Sequence, residues 1–265
     1  MRPQAAPFVR AEVYGEGEPA LDDPAELFHE ASKLQPALAR RQAAGMARLA
    51  ANAELSSAAA RAARRNAGLP SLSLPAPSLP PCSLSDAIEL RTSRRDFGDA
   101  LAVGTLASLL DAGYGARRDG RRTVPSGGAL YPLELLVAAR LVHGVPPGIY
   151  RYDPHRHTLE RQSRVDPWPA LEAACPLDGL LAGGAAALLV LAVFGRTRCK
   201  YGLRGYRFAL LEAGHVAQNI VLAAAAFDVP ALPLGGFYDA QVDALVDADG
   251  VEESVVYAVA LGGRA

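Results

Sequence analysis

The chain has 265 residues, of which 50% are hydrophobic and 21% charged, and its formal net charge is −1. A chain of this length can bury a large core in one or two domains, and a net charge near zero argues against a nucleic-acid partner. The N-terminus lacks the continuous apolar run of a signal peptide, and the longest apolar run, residues 181–194, is too short to span a bilayer. We therefore expect a cytoplasmic protein that does not enter a membrane.

The patterns of cysteine and histidine argue against a metal site. Cys82, Cys175 and Cys199 are widely spaced and form no C-x-x-C pair, so neither a disulfide framework nor a structural zinc site is expected. His155 and His157 flank a predicted turn, where we expect surface residues and no bound metal. The sequence also lacks a P-loop, a Rossmann glycine motif and a G-x-S-x-G elbow.

The first part of the chain is divided by a proline-rich stretch. Residues 1–68 form a predicted N-terminal helical extension, because residues 35–66 are rich in Ala and Arg with apolar residues at helical spacing. Residues 69–82 contain five prolines, which excludes a helix or a central strand and predicts an extended linker. The main domain is predicted over residues 83–265.

The main domain mixes helices and strands without strict alternation. Ser83 followed by Asp86 is typical of a helix start, and Thr105 is expected to open a second helix. The apolar stripe of residues 203–227 predicts a long helix. Apolar or alternating runs predict strands, including one hairpin, at residues 133–142, 148–152, 157–161, 185–194 and 254–261. The expected fold class is α+β.

Two turns carry residues suited to a planar, phosphorylated ligand. Residues 91–95 read Arg-Thr-Ser-Arg-Arg, and guanidinium groups form forked, charge-assisted hydrogen bonds to phosphate oxygens. A solvated basic turn is the alternative. Residues 126–128 read Ser-Gly-Gly, and the glycines let backbone amides approach a ligand closely. An ordinary loop leading into a strand is the alternative there.

A lysine–tyrosine pair is the third candidate for chemistry. Only two of the 27 basic residues are lysines, Lys33 and Lys200, and Lys200 directly precedes Tyr201. An ammonium group beside a phenol in a cleft favours the phenolate, which can act as a base; a surface pair at a helix start is the alternative. Gly235 and Gly236 form a second glycine pair that permits close backbone approach.

Together these motifs resemble those of the flavin-dependent nitroreductase family. Residues 91–97 resemble the R-R-S-x-R-x-F opening of that family, with Thr92 in place of the second Arg. One branch, the SagB-type dehydrogenases, comprises azoline oxidases of ribosomal peptide pathways, and it is similar to this chain at residues 125–134, 148–154, 214–219 and 235–237. Residues 28–34 resemble a segment that this branch carries upstream of a core matching residues 84–264.

The resemblance implies a homodimer of nitroreductase-like fold, with a central, mostly antiparallel sheet flanked by helices and FMN at the subunit interface. It assigns to FMN the residues Arg91, Ser93 and Arg95, with Thr92 in the same turn, then Ser126, Gly127 and Gly128 along the ring, Gly235 and Gly236 at its N5 and O4 edge, and Arg264 as a late phosphate contact. The implied catalytic pair is Lys200 and Tyr201, with Tyr201 as the base. These turns are expected to converge on one flavin ring.

The implied reaction converts a thiazoline or oxazoline ring of a peptide into the aromatic azole, by loss of a proton to the base and a hydride to the flavin. A cyclodehydratase is the expected partner, and the N-terminal extension is the candidate docking segment. Two alternatives stay open. One is an NAD(P)H-dependent flavin reductase of nitro, quinone or enone compounds, and the other is an inactive scaffold within a biosynthetic complex.

Overall fold

The structure is a computed structural model that describes residues 23–34 and 69–263, together with six isolated positions at 36, 43, 47, 51, 52 and 54. The helices predicted over residues 35–66 lie outside the described stretches, and so does Arg264. The predicted domain boundaries at residues 68 and 82 stay a prediction.

Two compact units make up the chain, Met1–Ala44 and Gly45–Ala265. In the first unit, helix α1 spans Pro24–Ala31, and the Asp23 side chain caps it by accepting a hydrogen bond from the backbone nitrogen of Ala25. The second unit contains every other element described below.

The second unit is built on a seven-stranded antiparallel sheet. Its strands are β1 (Ser71–Ser73), β2 (Leu133–Ala139), β3 (Gly148–Asp153), β4 (Thr158–Ser163), β5 (Ala186–Val193), β6 (Ala231–Leu234) and β7 (Glu253–Leu261). The spatial order is β1-β4-β3-β2-β5-β7-β6, and every neighbouring pair is antiparallel. The two edge strands of the sheet are therefore β1 and β6.

Helices cover both faces of this sheet. They are α2 (Leu84–Leu90), α3 (Val103–Tyr114), α4 (Trp168–Ala173), α5 (Gly195–Tyr201), α6 (Leu203–Phe227) and α7 (Asp239–Leu245). Leu135 and Val137 of β2 pack in one core cluster with α3 and α6, whereas Leu136 and Ala138 pack in the other with α4 and α7. Alternate side chains of a strand point to opposite faces, so burial of both faces explains the continuous apolar run of β2.

The structure confirms the α+β class and the long helix at residues 203–227. The Oγ of Ser83 accepts a hydrogen bond from the nitrogen of Asp86 at 3.0 Å, so the predicted helix start is correct. The second helix was expected to open at Thr105 but begins at Val103. Its N-cap residue, Ala102, is extended and makes no side-chain hydrogen bond to the helix, so the sequence carries no capping signal at the true start. Residues 71–73 of the proline-rich segment form the edge strand β1.

Helix α6 is long and apolar enough to cross a bilayer when judged by length and composition alone. Half of its apolar window is buried inside the protein, however. Its buried residues include Ala213, Val216, Ile220 and Ala224, which pack in the same core cluster as α3. This burial is typical of a core helix.

Two glycines of α6 differ in what surrounds them. A Cβ atom at Gly205 would lie 2.6 Å from the carbonyl carbon of Thr197 in α5, whereas one at Gly214 would meet nothing within 4 Å. The Thr197 hydroxyl also donates a hydrogen bond to the Gly205 carbonyl oxygen at 2.9 Å. Gly205 therefore sets how closely α5 approaches α6.

We expect Gly205→Ala and Gly214→Ala to change stability in opposite directions. Gly205→Ala overpacks the α5–α6 contact and should lower the free energy of unfolding by about 1–3 kcal/mol. Gly214→Ala improves helix propensity in open space and should raise it by roughly 0.5–1 kcal/mol. Urea denaturation of both variants measures the two shifts, and equal shifts would contradict the contact described here.

Candidate functional site

The glycine turn, predicted at residues 126–128, is a strained 3₁₀ turn between α3 and β2. Gly128, Ala129 and Tyr131 have φ angles of 67°, 55° and 44°, a region that favours glycine. The backbone nitrogen of Tyr131 donates a hydrogen bond to the Ser126 Oγ at 2.9 Å, and the Ala129 nitrogen donates to the Ser126 carbonyl oxygen at 3.1 Å. Ser126 thus holds the turn closed on itself.

This turn meets the lysine–tyrosine pair at the end of α5. A Cβ atom at Gly128 would lie 2.5 Å from the Tyr201 hydroxyl oxygen and 2.8 Å from Lys200 Nζ. Lys200 Nζ is 5.3 Å from the centroid of the Tyr201 ring. The turn and the pair, distant in sequence, therefore form one site, and the φ angle of 67° favours glycine at position 128.

Phe208 joins the same site from the first turns of α6. Its ring contacts Tyr201 edge to face, with centroids 4.9 Å apart, and a Cβ atom at Gly127 would lie 3.0 Å from its Cδ2. Beside it opens a cavity of about 310 Å³, lined by Pro125, Ser126, Gly127, Phe208, Leu211, Glu212 and His215. The cavity is mostly apolar and has one buried carboxyl group.

A buried polar cluster lies behind the glycine turn. The Tyr114 hydroxyl donates a hydrogen bond to Glu212 Oε1 at 2.6 Å. The Arg122 guanidinium lies over the rings of Tyr114 and Tyr131, 4.1 and 5.1 Å from their centroids, and its backbone nitrogen donates to the Tyr131 hydroxyl at 3.2 Å. Cation–π contacts of this kind stabilise a desolvated charge, so the cluster fixes the turn from behind.

Burial changes the proton affinities in this cluster. Burial raises the pKa of Glu212 from an ordinary 4.5 to about 7, against the opposing effects of the Ser126 and Tyr114 hydroxyls and the Arg122 charge. Burial and the neighbouring Glu212 charge raise the pKa of Tyr114 well above its usual range. Burial also lowers the pKa of Arg122. Glu212 is thus a buried carboxyl that changes charge near neutral pH.

A second buried carboxylate ties the turn to α5. Glu134, on β2, forms ion pairs with Arg151 of β3 and with Arg196 at the start of α5. Arg196 also donates a hydrogen bond to the carbonyl oxygen of Tyr131 at 3.4 Å. Because buried ion pairs need good geometry to offset desolvation, this group fixes the helix that carries Lys200 relative to the turn.

The arginine turn, residues 91–95, follows α2 and lies against the start of β6. The backbone nitrogen of Arg94 donates to the Ala231 carbonyl oxygen at 3.0 Å, and its guanidinium pairs with Asp96 and Asp228. Arg91 and Arg95 have no ion pair with a carboxylate in the part of the chain that the structure describes. These two guanidinium groups are therefore the ones available to an anion.

The predicted cofactor residues form two groups within one chain. The glycine turn contacts Phe208, and the arginine turn contacts Asp228, which follows α6; these two residues are about 30 Å apart along a helix that rises 1.5 Å per residue. Gly235 and Gly236 follow β6, about 13 Å along the strand from Ala231. Within one chain the three turns therefore do not converge on a single ring.

Sequence reasoning missed the residues that support the turn from behind. Glu212 could have been found, because it is a charged residue on the apolar stripe of α6 that also carries Ala213 and Val216. Arg122 and Arg196 carry no such signal, since their buried partners come from other elements. No group of three or more His, Cys, Asp or Glu residues suited to a metal occurs among the residues that the structure describes.

Comparison with known proteins identifies the family. The profile of the nitroreductase family matches residues 88–263. The chain belongs to the nitroreductase family. Protein MJ1384 of Methanocaldococcus jannaschii, which is named as a nitroreductase, is 36% identical over 168 residues, covering 63% of this chain and 85% of that protein. The microcin B17-processing protein McbC of Escherichia coli is 30% identical over 157 residues, covering 56% of this chain and 57% of McbC.

Solved structures share the fold of the second unit. A nitroreductase-family structure from Ralstonia eutropha superposes with a TM-score of 0.64 at 26% identity, covering 74% of this chain and 90% of that one. A chain of the Escherichia coli microcin synthetase McbBCD complex, solved with truncated pro-MccB17 bound, gives a TM-score of 0.57 at 25% identity, covering 69% and 74%. The protein is thus an oxidoreductase of nitroreductase-like fold, in a family that typically binds flavin.

We expect Glu212→Gln to change how stability depends on pH. Between pH 4.5 and about 7 the folded protein keeps a proton on Glu212 that the unfolded chain releases, so rising pH favours unfolding. The free energy of unfolding of the wild type should therefore fall, relative to that of the variant, by up to about 3 kcal/mol across this range and level off above it. Denaturant titrations at several pH values measure the difference.

The matched control is Glu89→Gln, which removes an exposed carboxylate from α2. It should keep the pH dependence of the wild type. A Glu212→Gln protein whose unfolding free energy follows the wild type at every pH would contradict the buried, proton-holding carboxyl.

Proposed function

We propose that the protein is an FMN-dependent dehydrogenase that oxidises thiazoline or oxazoline rings of a peptide to thiazoles or oxazoles, as a member of the SagB-type branch. The observation that carries this proposal is the contact between Gly128 and both Lys200 and Tyr201. It puts an amine and a phenol beside a backbone turn that borders a mostly apolar cavity of about 310 Å³. Similarity to McbC, a microcin-processing protein, supports the peptide substrate, although the chain spans only 57% of McbC.

The residues present fit FMN. Arg91 and Arg95 offer guanidinium groups without a carboxylate partner among the described residues, and charge-assisted hydrogen bonds to phosphate are strong. Thr92 and Ser93, exposed in the same turn, add hydroxyl donors. At Gly236 a Cβ atom would meet nothing within 4 Å, so the backbone there is open to a planar group. When bound, FMN would supply the hydride acceptor of the reaction.

The separation of the two groups of residues favours a homodimer. In one chain, about 30 Å of α6 separates the arginine turn from the glycine turn, farther than one FMN molecule reaches. A complete site therefore takes the arginine turn and Gly235–Gly236 from one subunit, and the glycine turn with Lys200–Tyr201 from the other. Exposed apolar residues of α2 and α6, Leu84, Ile88, Leu210 and Leu211, supply surface for such an interface.

The chain's own residues have defined tasks in this reaction. Tyr201 Oη takes the proton that leaves the azoline ring, since a positioned base within reach of the substrate typically contributes 10²–10⁴-fold. The Lys200 ammonium, close to the Tyr201 ring, stabilises the phenolate that Tyr201 must form. Phe208 packs on the Tyr201 ring edge to face and holds it toward the glycine turn.

A peptide substrate implies a partner protein and a cellular location. A cyclodehydratase that makes the azoline is the proposed partner, in keeping with the structural similarity to a chain of the McbBCD complex. The N-terminal extension is the proposed docking segment for this partner or for the substrate's leader. Such biosynthesis is expected in the cytoplasm.

A second candidate function is supported by one observation. The 36% identity to MJ1384, which is named as a nitroreductase, favours NAD(P)H-dependent reduction of nitro, quinone or enone compounds. The two functions differ in the direction of hydride transfer at the same flavin. Turnover of a nitroarene with NADPH, in the absence of any azoline oxidation, would favour this second function.

The first functional test is conversion of an azoline-bearing peptide by the flavin-loaded protein. We expect loss of two hydrogens by mass spectrometry, and we expect Tyr201→Phe and Lys200→Ala to bind flavin normally but to slow turnover by about 10²–10⁴-fold. Tyr238→Phe, at an exposed tyrosine, and Lys33→Ala, at the only other lysine, are the matched controls. Normal turnover by Tyr201→Phe would remove the proposed base.

The composite site can be tested by mixing subunits. Arg95→Ala should weaken FMN binding by roughly 10- to 100-fold, because a hydrogen bond between charged groups is lost, whereas Arg121→Ala, at an exposed arginine paired with Asp119, should not. If each site draws on two subunits, mixed dimers of Arg95→Ala and Tyr201→Phe contain one intact site and regain activity. Absence of any regained activity, with mixed dimers verified by mass, argues against a shared site.

A further inference from the structure

Positive charge is concentrated around the lysine–tyrosine pair. Residues 179–211 contain no Asp or Glu, whereas the chain as a whole has a formal net charge of −1. The same stretch carries five cationic side chains, Arg196, Arg198, Lys200, Arg204 and Arg207. Charge of one sign gathered around a reactive group raises the local concentration of ligands of the opposite sign. The surroundings of the pair therefore favour an anionic ligand.

One of these cations is neutralised inside the protein, and two others are not. Arg196 forms its ion pair with the buried Glu134. Arg198 is exposed and Lys200 is half-buried, and neither forms an ion pair with a carboxylate in the part of the chain that the structure describes. The charges of Arg198 and Lys200 therefore remain for a ligand to neutralise.

Three of the cations adjoin the reactive phenol, and we call them the basic surface: Arg198, Lys200 and Arg204. Lys200 Nζ is 5.3 Å from the centroid of the Tyr201 ring. The Arg204 guanidinium is 5.9 Å from the centroid of the Phe208 ring, which contacts Tyr201 edge to face. Arg198 precedes Tyr201 by three residues in α5, the spacing of neighbours on one helix face.

A peptide that brings a ring to Tyr201 must lay its neighbouring residues on the basic surface. An extended chain advances about 3.3–3.6 Å per residue, so the residues on either side of the ring come within reach of Arg198 and Arg204. A carboxylate there can form forked, charge-assisted hydrogen bonds to a guanidinium group. A Lys or Arg side chain in the same place would be repelled, and such repulsion contributes to specificity as much as attraction does.

We propose that the basic surface selects peptides that carry Asp or Glu beside the azoline ring. This inference rests on the proposed function, because it takes the ring-bearing peptide as the ligand. An acidic partner protein fits the surface less well, since docking there would cover Tyr201 and exclude the substrate.

The test is binding of two matched peptides to the flavin-loaded protein, measured by fluorescence anisotropy. Both peptides carry a finished thiazole, which cannot be oxidised further; one has Asp on each side of the ring and the other has Asn. At low salt we expect the Asp peptide to bind about five- to tenfold more tightly, the effect of two exposed ion pairs. This preference should largely disappear in about 1 M salt, where charges are screened within about 3 Å.

Charge reversal tests whether the preference comes from the basic surface. Arg198→Glu should bring the ratio of the two affinities to one or below, whereas Arg198→Lys should keep most of the preference. The matched control is Arg164→Glu, at an exposed arginine that follows β4, three strands from β5 in the sheet; it should keep the wild-type ratio. Equal affinity of the wild type for both peptides at low salt would overturn the proposal, and so would an unchanged preference in Arg198→Glu.

The outcomes separate this proposal from the proposed function. If no azoline is oxidised but the Asp peptide is preferred in a way that depends on Arg198, the proposed function fails and the basic surface stands as a site for acidic peptides. If azoline peptides are oxidised with the same kcat/KM whether Asp or Asn flanks the ring, the proposed function stands and the basic surface fails. Weaker binding of NADPH by Arg198→Glu, with the peptide ratio unchanged, would overturn the proposal in favour of the second candidate function.

Discussion

The candidate site depends on how closely a backbone turn approaches a phenol and an amine. At Gly128 a Cβ atom would displace the tips of the Tyr201 and Lys200 side chains, and the φ angle of 67° is one that other residues adopt only with strain. The turn keeps this shape because buried charge fixes it from behind. Glu134 connects it to α5 through Arg196, and Arg122 stacks beneath the Tyr131 ring. Lys200 and Tyr201 are thus half-buried, while the charged groups that position the turn are buried.

Helix α6 sets the distance between the glycine turn and the arginine turn. It carries Phe208 and Glu212 near one end and leads to Asp228, which anchors the arginine turn, at the other. A rigid helix of 25 residues keeps the glycine turn and the arginine turn apart in each chain. In the proposed dimer each flavin therefore depends on the interface, and any disturbance of subunit contact reaches the phosphate end and the proton-accepting end together.

Much of the fold was predictable, because its signals are local. The apolar stripe predicted residues 203–227 as a helix, and the bounds match; the Ser83 cap and the hairpin at Asp153 are equally local features. The start of α3 was misplaced by two residues, since its first residue has no side-chain cap to mark it.

The candidate site was only partly predictable from the sequence. Residues 126–128, Lys200 and Tyr201 stood out by type, and the structure brings them together. Arg122 and Glu134 did not stand out, because burial of a charge depends on partners that are distant in sequence. The distance between the glycine turn and the arginine turn is likewise a property of how α6 packs, and no motif encodes it.

Both edge strands of the sheet are poorly suited to pairing with a further strand. On one side the short β1, with only three residues, covers β4; on the other, Pro233 stands within β6, where it offers no N–H group. Edge strands of this kind resist pairing with another chain. A peptide presented to this protein therefore gains little by lying alongside the sheet as an added strand. If the substrate is a peptide, as proposed, it has to be recognised through its side chains and rings, and peptides with different backbones but the same heterocycle should be accepted alike.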